Sequence, residues 1–153
     1  MALLPLLLLS LLTISCTDSD CLVHSYQQTG SDVWLRADTL RYEIPEAPAS
    51  GIYTISVEMR TGETFSYRYI YMAIERHMHH PDYLHCDTIR FDMARDGVHL
   101  DGRGSTITTF CRPALNIRLC KGQSGEVRLL HLMSREVLPD IREVGVRICK
   151  TDQ

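Results

Sequence analysis

The sequence lacks the short motifs by which many enzymes are recognised. It contains no P-loop, no glycine-rich dinucleotide fingerprint, no nucleophile elbow and no CxxC pair. Its acidic residues form no evident pair for glycoside hydrolysis, which needs two carboxylates facing each other across a groove. We therefore predict no catalytic residues, no cofactor and no enzymatic activity.

The chain also lacks an excess of charge and, beyond its first residues, any long apolar run. A formal net charge of -3 gives no reason to expect a nucleic-acid partner. A helix needs about 20 apolar residues to cross a bilayer, and no stretch after residue 15 approaches this. Repeats and low-complexity segments are absent as well. The sequence is typical of one domain of ordinary size.

The N-terminus carries a short apolar segment followed by a cysteine. Residues 1–15, MALLPLLLLSLLTIS, carry no charged side chain, and the acidic CTDSD ends the apolar run. The run is too short for a stable span and predicts an export signal. Ser15 is followed directly by Cys16, as in the lipobox of bacterial lipoproteins, where the cysteine takes a lipid and the chain is cut just before it. We predict a lipid at Cys16 that anchors the protein to a membrane; a secreted protein with an unlipidated Cys16 is the alternative.

From Val33 onward the apolar residues recur with a period of two, which indicates strands with one buried and one wet face. Turn signals separate these runs, and Asp96-Gly97 is the best hairpin turn. The only helical candidate is a turn or two in SREVLPDI, stopped by Pro139. The strands are expected at residues 33–44, 52–60, 66–76, 87–95, 106–119, 126–133 and 143–149.

Seven or eight antiparallel strands in one domain must be closed or stacked to hide their edges. The predicted fold is therefore all-β, an antiparallel β-sandwich of jelly-roll type over residues 33–150. Residues 16–32 are expected to form a flexible tether between the lipid and this domain, and residues 151–153 a short tail.

A histidine-rich stretch, RHMHHPDYLHCD at residues 76–87, draws attention because its side chains can bind transition metals. His77 and His79 would share a face of a strand, and His85 could join them. A metal site needs three or four ligands held by supporting contacts, however, and Pro81 suggests an exposed loop. We predict a loop and no metal; these histidines are the candidates if one binds.

Aromatic residues offer the main candidates for ligand binding. The stretch YRYIYMAIE places Tyr67, Tyr69 and Tyr71 on one side of a strand. We predict a central strand covered on both faces; the alternative is an exposed platform that binds a glycan or a peptide. Trp34 is expected to plug one end of the sandwich, with ligand binding as the alternative.

The cysteines leave their pairing open. If Cys16 carries a lipid, an odd number remains, so they cannot all pair within one chain. A cross-strand disulfide and a small buried thiol are both compatible with the pattern. The remaining cysteines are Cys21, Cys86, Cys111, Cys120 and Cys149.

Several phrases of the sequence, in their order along the chain, resemble the GldH family of gliding-motility lipoproteins from Bacteroidetes. They are VHSYQQTGSDVWLRADTLRYEI, GIYTISVEMR, YRYIYMAIE, DTIRFDMARDGVHLDGRG and LLHLMSREVLPDIREVGVRI. The chain departs from the family's pattern at His99, where Trp is expected, and at Ser134, which interrupts a Met-Arg pair.

The resemblance implies an outer-membrane lipoprotein, on the periplasmic or cell-surface face, that is associated with the gliding apparatus or its secretion machinery. It implies no enzymatic activity. Of the matching residues, Asp87, Gly97, Gly145 and Ile148 are expected to shape strands and turns rather than a site. Our interpretation is a lipid-anchored β-sandwich that acts by contact with envelope proteins; the alternative is an anchored module that captures a glycan or a peptide.

Overall fold

The computed structural model describes residues 21–93 and 107–151. The predicted signal peptide, the predicted lipidation site at Cys16 and the predicted Asp96-Gly97 turn lie outside these residues. Within them the chain forms strands joined by short turns, with a single 3-10 turn at Gly30–Asp32 and no α-helix. In this part of the chain, no helix is long and apolar enough to span a membrane.

Ten strands are described, eight of them in the two main sheets. They are β1 (Cys21–Gln28), β2 (Val33–Leu35), β3 (Leu40–Ile44), β4 (Gly51–Thr61), β5 (Tyr69–His79), β6 (Tyr83–Asp92), β7 (Thr108–Leu119), β8 (Ser124–His131), β9 (Val137–Pro139) and β10 (Ile141–Lys150).

The strands pair as if the chain were one long hairpin rolled up. The first strand pairs with the last, β2 with β9, β3 with β8, β4 with β7 and β5 with β6, all antiparallel. Two further pairings, β10 with β4 and β5 with β8, join these hairpins into two four-stranded sheets. The sheet orders are β1-β10-β4-β7 and β3-β8-β5-β6. The predicted antiparallel β-sandwich is confirmed, and this nesting is the jelly-roll topology.

The core lies between the two sheets and follows the predicted alternation. On β4, Ile55, Val57 and Met59 are fully buried, and β10 contributes its own apolar row. The Tyr42 hydroxyl of β3 donates to the carbonyl oxygen of Val144 on β10, 2.7 Å away, so a hydrogen bond joins the two sheets through the core. Burial of such rows supplies most of the driving force for folding, at about 25 cal/mol per Å² of apolar surface.

The domain begins earlier than predicted. Residues 16–32 were expected to form a tether, but Cys21–Gln28 is strand β1, paired along its length with β10. A disulfide joins Cys21 to Cys149, which is its partner in the strand register. Only one apolar residue of β1, Val23, lies in the core. The strand therefore lacks the alternation of apolar and polar residues by which a strand is recognised in a sequence.

The helical turn predicted in SREVLPDI is wrong. Val137–Pro139 forms β9, which pairs with β2 in a two-stranded ribbon. Leu138 is fully buried beneath the ribbon. Proline cannot donate a hydrogen bond to a sheet, and a three-residue edge strand tolerates it at its last position.

The histidine-rich loop is also shorter than predicted. Strand β5 continues to His79 and β6 starts at Tyr83, so only residues 80–82 form the connection. The stretch is a tight hairpin, because its alternating side chains suit two paired strands.

Candidate functional site

The tyrosines of β5 lie on the outer face of their sheet. β5 is a central strand, flanked by β8 and β6, as predicted. Its inner face, with Ile70, Met72 and Ile74, is fully buried. Tyr69 and Tyr71 are 43% and 42% exposed, so the prediction that both faces are covered is wrong. The outer face of this sheet therefore presents aromatic surface to solvent.

An open groove of about 1120 Å³ borders this face, where the connection between β4 and β5 meets the ends of β6 and β7. Tyr67 and Tyr69 both line it, whereas Tyr71 lies beside it in ring contact with Tyr69. Other side chains of the lining include Phe65, Arg90, Asp92 and Phe110. We call this the aromatic groove. It brings together two of the three predicted tyrosines.

The wall of the groove is fixed by Asp140, the residue between β9 and β10. Its carboxylate accepts hydrogen bonds from the backbone N–H and the hydroxyl of Thr64, at 2.6 and 2.7 Å. The backbone N–H of Gly62 donates to the Asp140 carbonyl oxygen at 3.0 Å. The carboxylate lies so close to Gly62 that a β-carbon there would stand 1.9 Å from an oxygen. Glycine at this position lets the connection that carries Phe65 and Tyr67 lie against Asp140.

The ring geometry of the groove favours an irregular partner over a flat one. Tyr69 and Tyr71 meet edge to face, with centroids 5.4 Å apart and planes at 70°. Phe65 and Tyr67 are tilted by 43° at 5.5 Å. The guanidinium of Arg90 lies 5.9 Å from the centre of the Tyr69 ring. Rings at such angles form pockets and ridges, and do not form one continuous plane.

The charges lining the groove are balanced. Arg68 and Arg90 supply positive charge, and Glu63 and Asp92 supply negative charge. Arg90 and Asp92 pair with each other at 3.2 Å. A strongly charged polymer therefore gains no general attraction here, and the groove suits a partner of mixed polar and apolar character.

Trp34 does not take part in a surface site. The side chain is completely buried beneath the β2–β9 ribbon, and its ring meets His131 edge to face at 5.4 Å. Its indole N–H donates to the carbonyl oxygen of Asp38. The interpretation of Trp34 as a ligand-binding residue is wrong, because no face of the ring reaches solvent.

The three candidate histidines do not converge. The β5–β6 register pairs His77 with Leu84 and Arg76 with His85, so His77 and His85 project from opposite faces of the sheet.

Each of these histidines instead has a carboxylate neighbour of its own. The pairs are His77 with Glu75 at 3.4 Å, His79 with Asp82 at 3.4 Å and His85 with Asp87 at 3.5 Å. Across residues 21–93 and 107–151, no group of three metal-ligating side chains is assembled.

A second polar constellation, which the sequence did not reveal, lies on the outer face of the other sheet. Glu58 of β4 is only 6% exposed, although its strand position faces away from the core. Its carboxylate accepts a hydrogen bond from the Tyr26 hydroxyl. The Nε2 atom of His24 lies 3.4 Å away and Nε of Arg147 3.6 Å away. The Sγ atom of Cys111 is 3.7 Å from the other carboxylate oxygen.

The electrostatics of this cluster, the Glu58 cluster, favour an ionised carboxylate beside a protonated phenol and a protonated thiol. Burial alone would raise the pKa of Glu58, but the bonds from Tyr26 and His24, together with the electrostatic attraction of His24 and Arg147, outweigh it, so the pKa lies below its ordinary value. Burial and the nearby Glu58 charge raise the pKa of Tyr26 and that of the Cys111 thiol. A protonated thiol is a poor nucleophile. The cluster is thus built to join strands, with an ionised Glu58 at its centre.

The signal that could have located the Glu58 cluster is Gly145. Glycine inside a strand often marks a place where another group approaches the backbone closely. The Tyr26 ring occupies that space, 2.7 Å from where a β-carbon of Gly145 would stand.

Three cysteines remain as free thiols among the described residues. Cys86 and Cys120 are exposed, and Cys111 is partly buried against Glu58. The observed disulfide between Cys21 and Cys149 resolves the pairing that the sequence left open.

Taken together, the nested sheets, the aromatic groove and the buried carboxylate define a jelly-roll β-sandwich with an exposed aromatic surface. Residues 22–148, most of the chain, match the GldH lipoprotein family, and the chain belongs to that family. The resemblance seen in the sequence is thereby confirmed. The family is one of lipoproteins linked to gliding motility, and lipoproteins are attached to membranes by a covalently bound lipid. No curated protein matches the chain.

Proposed function

We propose that this protein is a lipid-anchored, non-enzymatic accessory component of the gliding-motility and secretion-associated machinery of the outer membrane. The lipid would be carried by Cys16, five residues before the first strand. Family membership supports the lipoprotein character and the link to gliding. Attachment at Cys16, the outer membrane, the accessory role and contact with envelope proteins are our inferences.

The observation that carries the proposal is the exposure of Tyr69 and Tyr71 on a central strand. Large aromatic side chains on the outer face of a central strand are costly to leave in water, and aromatic residues are enriched at protein interfaces. Leu132 continues the patch, since its backbone N–H bonds to the Tyr71 carbonyl oxygen at 2.8 Å and its side chain is 48% exposed. We assign these three residues, with the adjoining aromatic groove, as the surface that contacts an envelope protein.

The absence of enzymatic activity is supported by the state of the reactive groups. The lowered pKa makes the Glu58 carboxylate a weaker base, and the raised pKa of Cys111 leaves less of its thiol as the nucleophilic thiolate.

A second candidate, capture of a glycan or a peptide, rests on Tyr67 and Tyr69 in the aromatic groove. A single exposed ring can stack on one sugar, and Arg90 and Asp92 could bond its hydroxyls. The angles between neighbouring rings favour a peptide or protein segment over an extended sugar chain, because successive sugars need rings in one plane.

The test is crosslinking and pull-down of the full-length protein from its native membranes. A Cys16→Ala chain tests the anchor. A Tyr69→Ser/Tyr71→Ser chain tests the surface, and Leu35→Ser, which alters an apolar residue of similar exposure on the β2–β9 ribbon, is the matched control. We expect a stoichiometric envelope protein that is lost with the tyrosine variant and retained with Leu35→Ser.

Each other outcome has a definite meaning. If the envelope protein is retained with both variants, the tyrosine surface is not the contact. If the intact protein is recovered alone, the accessory role is contradicted. Binding of glycans or peptides that depends on Tyr69 would then favour the second candidate.

A further inference from the structure

Strand β6 forms one edge of its sheet. It pairs with β5 on one side, and among the described residues no strand pairs with its other side. Its first half is exposed, with Leu84 at 63% and Tyr83 at 38%. Unpaired edges with apolar side chains are templates for another strand, and proteins usually protect them with charged side chains, proline or bulges. The charged residues of β6, Asp87, Arg90 and Asp92, lie from residue 87 onward, whereas residues 83–86 contain no aspartate, glutamate, lysine, arginine or proline.

We propose that two copies of this chain associate through β6, antiparallel, with a two-fold axis at Cys86. When this axis is perpendicular to the sheet, a residue a given number of positions before Cys86 lies opposite the residue the same number of positions after Cys86 in the second copy. An axis at Cys86 places His85 opposite Asp87 of the second copy, and Asp82 opposite Arg90. The Asp82 carboxylate then meets a guanidinium, the Asp87 carboxylate meets an imidazole ring, and no two carboxylates face each other within this stretch.

The apolar residues match in the same register. Tyr83 lies opposite Ile89, an aromatic and β-branched pair that stabilises antiparallel strands. On the other face, Leu84 lies opposite Thr88. The two Cys86 residues face each other across the axis.

Neighbouring registers are less favourable. An axis at Asp87 would bring two carboxylates face to face, and an axis at His85 would pair two histidines and place Tyr83 opposite Asp87. Like charges directly opposite each other destabilise a strand pair. The sequence around Cys86 is thus specific for one self-pairing.

The partner is therefore a second copy and the contact is small. One pair of edge strands buries less than the roughly 1,200 Å² of a stable interface, so the association is expected to depend on protein concentration. The inference goes beyond the proposed function, and of the residues that line the aromatic groove it uses only Arg90.

The first test uses the exposed thiol that the register places on the axis. Directly opposed residues have β-carbons about 4.5–5.5 Å apart, close to the separation in a disulfide. The full-length protein, purified in detergent, is treated with diamide. Diamide takes up the two electrons and two protons that the thiols lose as the S–S bond forms, and it becomes the hydrazine.

We expect a covalent dimer that is lost in Cys86→Ser and retained in Cys120→Ser, the other exposed thiol. Dimers that form through Cys120 as readily as through Cys86 would overturn the proposal, as would a chain that stays monomeric at every concentration.

The second test examines the register in a Cys86→Ser background. A mixture of Leu84→Cys and Thr88→Cys chains should crosslink, whereas either chain alone should not, because its thiols would lie four residues apart along the strands. Crosslinking of Leu84→Cys with itself would contradict the register. Independently, Asp82→Arg should weaken self-association measured by sedimentation, and Asp82→Arg/Arg90→Asp should restore it.

Discussion

The ring of Tyr26 lies across Gly145 on the neighbouring strand, and its hydroxyl donates a hydrogen bond to Glu58 one strand further on. Cys111 approaches the same carboxylate from the opposite side. The buried carboxylate of Glu58, on β4, is thus contacted by side chains from the three other strands of its sheet, β1, β10 and β7. A carboxylate removed from water is tolerated because several donors replace its solvent shell.

Gly145→Ala should destabilise the protein. The new methyl group would stand 2.7 Å from the Tyr26 ring, which must move and lose its bond to Glu58. Leaving a buried charged acceptor without this donor costs about 1–3 kcal/mol. The free energy of unfolding from urea titration measures this.

Gly30→Ala is the matched control, because nothing lies within 4 Å of its added methyl group. Tyr26→Phe removes the same bond, so the double variant Tyr26→Phe/Gly145→Ala should lose less than the sum of the single losses. Additive losses would show that the two residues act separately.

Removing the disulfide should weaken the fold without touching the core. The Cys21→Ser/Cys149→Ser chain frees a covalent loop with a sequence separation of 128 residues. Loss of a native disulfide that closes such a loop typically costs about 2–5 kcal/mol. Thermal unfolding measures the loss, and Cys120→Ser, at an exposed free thiol, should stay within about 0.5 kcal/mol of the parent chain. Equal stability of the two chains would contradict the role of the bond.

Stability should fall as the pH drops below the ordinary histidine range because of His131. This side chain is 1% exposed, and burial lowers its pKa from the ordinary value of 6.5. His131 therefore binds a proton more readily in the unfolded chain than in the folded chain. The stability that the folded state gains from keeping His131 neutral is fully present above pH 6.5. It is lost as the pH falls through that value towards the lowered pKa.

The measurement is the denaturant midpoint between pH 8 and pH 5. His131→Phe should flatten the pH dependence in this window, because it removes the buried group whose pKa is lowered. A parent chain whose midpoint does not move over this window would contradict the prediction.

Asp140→Ala should loosen the aromatic groove. The variant removes the acceptor of both bonds from Thr64, at a cost of about 1–2 kcal/mol, and it frees the connection that carries Phe65 and Tyr67. Hydrogen exchange of the backbone around Thr64 should become faster. Asp82→Ala, at a highly exposed carboxylate, is the control. Unchanged exchange at Thr64 would show that packing alone holds the connection.

The fold could be predicted where one face of a strand is apolar. β4 and β10 alternate so regularly that their buried apolar residues follow from the sequence. β1 could not be predicted, because its stability comes from pairing with β10 and from a disulfide partner at the far end of the chain. The same holds for β9, whose three residues are too few to show a period.

The candidate site was predicted only in part, for a related reason. The tyrosine row of β5 was visible, but its exposure depends on whether another layer covers the sheet, which one strand cannot show. Glu58 looked like an ordinary polar residue of the wet face. Its burial arises from Tyr26, distant in sequence and placed over Gly145 by the register of two strand pairs.

The early start of β1 has a mechanical consequence. With a lipid at Cys16, as proposed, five residue steps separate the anchor from Cys21, and a fully extended chain covers at most about 18 Å over that length. The domain would stand close to the membrane surface. Tension on the anchor would pass through the disulfide directly to Cys149 on β10, an inner strand of the sheet. The load would thus reach the middle of the sheet through covalent bonds, and the edge strand β1 would not have to carry it alone.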